Sequence, residues 1–190
     1  MKIGLFFGSF NPVHIGHMAI ANYMIEFTNI DQLWFVISPH NPLKNKSTLL
    51  ADQFRYDLLE LAIDDDEHFK LCDIEFRMPK PSYTADTLAY LREQNPKHEF
   101  VLILGTDNLK SFGKWKNHEE ITKHYERYVY PRHGDSDINW SEHKNCSLVN
   151  APMIEVSSSF IRKAIKEGKN INYFLPSKVY NHILKMGFYK

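Results

Sequence analysis

Two histidines three residues apart, His14 and His17, close the segment Gly8-Ser9-Phe10-Asn11-Pro12-Val13-His14-Ile15-Gly16-His17. On the first turn of a helix that spacing puts both rings on one face, within reach of one ligand. Each imidazole can offer an N–H to a phosphate oxygen, which suits a step in which negative charge builds up, as in phosphoryl or nucleotidyl transfer. Gly8 and Ser9 let backbone N–H groups approach an anion. The plainer alternative is a turn in which one histidine caps a helix and the other packs beneath it.

Further along, Val156-Ser157-Ser158-Ser159-Phe160-Ile161-Arg162 combines hydroxyls at a helix start with a guanidinium one turn on. Such a group can hold phosphate oxygens, or serve only as a serine N-cap followed by a solvated arginine. Gly105-Thr106-Asp107 ends an apolar run, where a carboxylate suits ribose hydroxyls or caps the next helix. Lys44, on the loop Pro39-His40-Asn41-Pro42-Leu43-Lys44, can meet phosphate as a point charge or stay solvated. Trp115 presents a flat π-face, useful to a planar ring or to the core.

These groups need a scaffold, and the pattern of apolar runs supplies one. Strands are expected at 2–8, 32–38, 69–73, 99–105, 125–131 and 147–149, the runs at 32–38 and 99–105 being the most continuous. Helices are expected at 15–27, 51–64, 84–92, 106–112, 117–123, 157–167 and 176–186, the last two stopped at Gly168 and Gly187. In the helix at 51–64, Phe54, Leu58, Leu61 and Ala62 fall on one face. Strands alternating with helices imply βαβ units and an α/β, Rossmann-like, doubly wound and mainly parallel sheet flanked by helices. In such sheets ligands sit beyond the carboxyl ends of the strands, where all the chemical groups above fall. The polar, turn-rich stretches 40–48 and 133–146 are the expected mobile segments.

The 190 residues fit one domain spanning 1–190, and 43% apolar with 24% charged residues is ordinary for a soluble globular chain. A formal net charge of zero argues against nucleic acid or an anionic membrane as partner. Cys72 and Cys146 show no metal-ligand spacing, and the expectation is two reduced thiols in a cytoplasmic protein without a signal or membrane-spanning segment.

Gly8 to His17 resembles the first signature of the nucleotidyltransferase superfamily, Gly-x-Phe-Asp/Asn-Pro-x-His-x-Gly-His, and Val156 to Arg162 resembles its second, Ile-Ser-x-Ser/Thr-x-Ile-Arg, with Val156 in place of isoleucine. Pro81-Ser82-Tyr83-Thr84-Ala85-Asp86-Thr87-Leu88 is similar to the Ser-Tyr-Thr-x-Asp-Thr-Leu block of the bacterial nicotinate-nucleotide adenylyltransferases. Asp107 to Trp115 is similar to the same family's Asp-x-Leu-x-x-Phe-x-x-Trp block, and Pro131-Arg132-His133-Gly134 stands where it commonly has Arg-Pro-Gly.

The resemblance implies transfer of AMP from ATP, with Mg²⁺, to nicotinate mononucleotide. It places His14 and His17 in catalysis, and Gly8, Ser9, Phe10, Lys44, Gly105, Asp107, Ser158, Ser159 and Arg162 around ATP. Trp115 would stack on the nicotinate ring, and backbone N–H groups around Thr84 and Lys116 would hold its carboxylate. No protein ligand to the metal is implied. The alternatives are another acceptor, nicotinamide mononucleotide or phosphopantetheine, or a nucleotide sensor without turnover. Phosphopantetheine is disfavoured by His14, where its enzymes typically carry threonine.

Overall fold

In the computed structural model, which describes residues 1–39, 49–132 and 138–190, the apolar runs form one six-stranded sheet. Its strands are β1 (Lys2–Gly8), β2 (Gln32–Ile37), β3 (Phe69–Cys72), β4 (Glu99–Gly105), β5 (Glu126–Tyr130) and β6 (Cys146–Leu148). The order is β3-β2-β1-β4-β5-β6, and every pairing is parallel. The chain therefore winds outward in both directions from β1 and β4, and the gap beyond their carboxyl ends is the topological switch point.

The helices are α1 (Ile15–Phe27), α2 (Asp52–Ile63), α3 (Thr84–Gln94), α4 (Thr106–Ser111), α5 (His118–His124), α6 (Ser158–Lys166) and α7 (Ser177–Met186). Strand residues alternate between two cores, because successive side chains point to opposite faces of a sheet. Leu33, Phe35 and Ile37 of β2, with Val101 and Ile103 of β4, pack against α1, α2, α6 and α7. Trp34 and Val36, with Phe100, Leu102 and Leu104, pack against α3, α4 and α5. Gly168 and Gly187 both adopt positive φ, 68° and 65°, and end their helices. After α6, Lys169 N–H donates to Ala164 O at 2.9 Å and Gly168 N–H to Ile165 O at 2.9 Å, the left-handed stop that glycine makes without strain.

The expected face of α2 holds at Leu58, Leu61 and Ala62, which pack on the core, and fails at Phe54. Phe54 is 38% exposed, at the rim against Phe188, while Arg55, Leu58 and Leu59 are the buried residues of α2. The helix is rotated toward Arg55 because that guanidinium, with no exposed surface, finds acceptors for its donors. Its Nε donates to Leu50 O at 3.1 Å, and its two Nη groups to the carbonyls of Ser9, Ser38 and Pro39 and to Asp52 Oδ1. A buried charge supplied with such partners is tolerated where an unpaired one is not.

Of the two expected mobile stretches, 40–48 and 133–137 lie outside the described residues. In the remainder, Trp140–Glu142 forms a 3-10 turn before β6 begins at Cys146. Cys72 and Cys146 are both free, and burial pushes the Cys72 thiol up to about 11.

Candidate active site

The segment after β1 turns sharply before α1. Phe10 adopts φ 42°, and its ring folds back over Gly8, where a Cβ would lie 2.7 Å from Phe10 Cζ. Gly8 is thus required by packing as well as by any ligand. Phe10 is 1% exposed, among Phe6, Phe35 and His17, its ring centroid 5.0 Å from that of His17. Its side chain is thus spent on packing against His17, and its backbone faces the turn.

His14 occupies the N-cap position of α1 and is 5% exposed. Its ring stacks on that of His17, centroids 3.7 Å apart. Gly16 makes the stack possible, since a Cβ there would sit 3.1 Å from the His14 ring. His14 N–H donates to His17 Nδ1 at 3.2 Å. A nitrogen that accepts cannot carry the proton of a neutral ring, so the His17 proton resides on Nε2. Burial first, and then the positive charge of Arg132, lower the His14 pKa to about 4, so His14 is neutral at pH 7. Its buried Nδ1 has no hydrogen-bond partner among the described residues.

His14 and His17 line a cleft of 520 Å³ with Gly16, Asp107, Arg132 and Ser157. Arg132 follows β5, its backbone N–H donating to Thr106 Oγ1 at 2.9 Å. Its side chain donates to Tyr130 Oη at 3.2 Å and lies 3.7 Å from Asp107 Oδ1. Arg132 had only a partial motif match in the sequence; the fold brings it to the histidine pair. Asp107 is the second residue of α4, whose N-cap is Gly105, so the alternative of Asp107 as the cap does not hold. A Cβ at Gly105 would displace the Asp107 carboxylate.

The serines of α6 divide their duties. Ser157 is the N-cap, its hydroxyl accepting the Phe160 N–H at 3.2 Å. Ser158 Oγ donates to Pro12 O at 2.9 Å, Arg162 Nη1 to Asn11 O at 2.8 Å and Arg162 Nη2 to Ser159 Oγ at 3.2 Å. The second motif is therefore bolted to the carbonyls of the first. Asn11 is further held by Tyr189, whose hydroxyl donates to Asn11 Oδ1 at 2.9 Å, and Leu50 N–H donates to the same oxygen at 3.2 Å.

Thr84, Trp115 and Lys116 do not line this cleft; Thr84 opens α3, Lys116 reaches it, and Trp115 ends the 3-10 turn Phe112–Lys114. Lys116 Nζ pairs with Asp86 Oδ2 at 2.9 Å and lies 4.6 Å from the centre of the Tyr83 ring. Trp115 is half-buried against Phe112, centroids 5.4 Å apart. Neither Ser82 nor Thr84 caps α3: the N-cap position is Tyr83, and Ser82 Oγ donates instead to Glu75 Oε2 at 2.9 Å. Lys44 lies outside the described residues. Among the described residues no three or more His, Cys, Asp or Glu cluster as a metal site, and no helix is long and apolar enough to cross a membrane.

The doubly wound sheet with stacked imidazoles at its switch point defines a class of protein, one that presents hydrogen-bond donors to a phosphorylated ligand. Residues 5–164 match the cytidylyltransferase-like family model. The chain is 52% identical to a probable nicotinate-nucleotide adenylyltransferase of Flavobacterium johnsoniae, over 100% of both chains. It is 50% identical to one so named from Cytophaga hutchinsonii, over 100% of this chain and 98% of that one. Among solved structures, the nicotinic acid mononucleotide adenylyltransferase of Plasmodium falciparum complexed with NaAD superposes with TM-score 0.81. The match is 22% identical and covers 99% of this chain and 97% of that one, a likeness of fold. The chain belongs to the cytidylyltransferase-like family and, within it, to the nicotinate-nucleotide adenylyltransferases.

Proposed function

We propose that this chain, residues 1–190 acting as one domain, transfers the AMP moiety of ATP to nicotinate mononucleotide, giving nicotinate adenine dinucleotide and pyrophosphate. The observation that carries the chemistry is His17, its proton fixed on Nε2 by the His14 N–H, in a cleft shared with His14 and Arg132. The 5′-phosphate of the mononucleotide attacks the α-phosphorus of ATP in line as the bond to the β-phosphate breaks. That nucleophile is anionic at pH 7, so no general base is required, and catalysis consists of positioning and charge stabilisation. His17 donates to the phosphate oxygens, with neutral His14 stacked against it. Arg132 adds a permanent positive charge.

Gly105 and Asp107 are assigned to the ribose, backbone N–H groups of Gly8 to Phe10 and Ser159 with Arg162 to the phosphates, and Lys44 to the same anion. Ser158 acts on the phosphates indirectly, through its bond to Pro12. Trp115 stacks on the nicotinate ring, and N–H groups around Thr84 and Lys116 hold its carboxylate. A divalent cation such as Mg²⁺, brought in with ATP, would offset charge on the triphosphate and would need no protein ligand of its own. Asp107 and Glu155, the carboxylates lining the cleft, would meet it through its waters. A cytoplasmic location suits a reaction that consumes ATP.

ATP labelled at the α- or the γ-phosphorus tests the reaction type. The α label is expected in the dinucleotide and the γ label in pyrophosphate. A γ label on the acceptor would make the protein a kinase. Nucleotide binding without transfer would make it a sensor.

A further inference from the structure

Glu75 is 3% exposed and lies outside the cleft described above. It follows β3 in the 3-10 turn Ile74–Phe76. Its carboxylate accepts from Ser82 Oγ at 2.9 Å and from Thr87 Oγ1 at 2.7 Å, and it is hydrogen-bonded to the Ser38 side chain. Ser82 and Thr87 bracket the turn Tyr83–Asp86 that opens α3, where the acceptor's ring carboxylate is assigned. Ser38 follows β2, and its carbonyl accepts from Arg55 Nη1 at 2.9 Å. That nitrogen also donates to the Ser9 carbonyl at 2.6 Å, in the loop assigned to the triphosphate. A continuous polar chain, buried at Arg55, Glu75 and Thr87, thus runs from the ATP loop through Ser38 to both sides of the acceptor turn.

We infer that Glu75 is a positioning residue for the acceptor nucleotide, fixing the α3 entrance turn against the end of β2. The chemistry of the contact supports this. A carboxylate that accepts two hydroxyls on either side of a four-residue turn sets the direction of the intervening N–H groups. The α3 N-cap position, Tyr83, supplies no side-chain cap, so the turn depends on these outer ties. Burial raises the Glu75 pKa, and the Thr87, Ser82 and Ser38 hydroxyls counter it by bonding the charged form.

The inference rests on the assignment of the acceptor to this turn, and the experiment separates the two. Steady-state kinetics would be measured for Glu75→Ala, Glu75→Gln and Trp115→Ala with each substrate varied, alongside thermal unfolding. Glu75→Ala is expected to raise KM for nicotinate mononucleotide about tenfold, the value of one lost charge-assisted hydrogen bond, and to leave KM for ATP within about twofold. Glu75→Gln, which keeps the shape and one acceptor oxygen, is expected to recover most of that loss. Should Glu75→Ala fail to fold, Ser82→Ala removes one tie, and a selective rise in acceptor KM is again expected. A lower melting temperature with unchanged KM values, or an equal rise for both substrates, would overturn the positioning role. If Trp115→Ala raises acceptor KM while the Glu75 variants do not, only this inference fails. If neither does, the acceptor assignment fails with it.

Discussion

The buried, neutral His14 makes a quantitative demand on acid stability. Its pKa falls from 6.5 to about 4 in the folded chain, so the unfolded chain takes up the proton first. The stabilisation is therefore complete above about pH 6.5 and is lost as pH falls through the interval down to about 4. With ~1.36 kcal/mol per pKa unit, the whole loss is about 3 kcal/mol, of which about 2 kcal/mol has gone by about pH 5. The residue is almost fully buried, so solvent screening removes little of this. His14→Asn removes the titration while keeping a polar side chain. Urea unfolding of both proteins at about pH 7.5 and about pH 5 reads the difference, because titrations the substitution leaves unchanged cancel between them. The wild-type chain is expected to lose about 2 kcal/mol more than the variant over that interval. Parallel losses in the two proteins would refute the reasoning.

Four further outcomes are expected. His17→Ala removes the Nε2–H donor and should lower kcat by about 10²–10³-fold with KM little changed; an unaltered kcat in initial-rate assays removes His17 from catalysis. Trp115→Ala should raise KM for the mononucleotide and leave that for ATP alone, and equal shifts would contradict stacking. Arg55→Met leaves the carbonyls of Leu50, Ser9, Ser38 and Pro39 without their donors and should cost on the order of 3–5 kcal/mol in denaturant unfolding. Tyr189→Phe removes one bond to Asn11 Oδ1, which keeps the Leu50 N–H, and should cost only about 1 kcal/mol by the same method.

Much of this molecule is written locally. The apolar runs at β1, β2 and β4 and the glycines after α6 and α7 specify elements without knowledge of the fold, because strand period and left-handed stops are short-range properties. His14 and His17 are legible for the same reason: their spacing on one turn defines their common face. What escapes is long-range. Arg55 carries no local signal of burial, which depends on the carbonyls of Ser9 and Ser38 that only the folded sheet delivers. Glu75 likewise has no local signal, since its partners Ser82 and Thr87 reach it through the return of the chain into α3. The Ser158 hydroxyl bond to Pro12, 146 residues away in sequence, is likewise invisible to local reading.

The most direct test is pyrophosphate release from Mg-ATP with nicotinate mononucleotide, nicotinamide mononucleotide and phosphopantetheine supplied in parallel. Rapid release with strong preference for the nicotinate acceptor is the expected result. Release only with another acceptor, or none with any of the three, would contradict the assigned reaction.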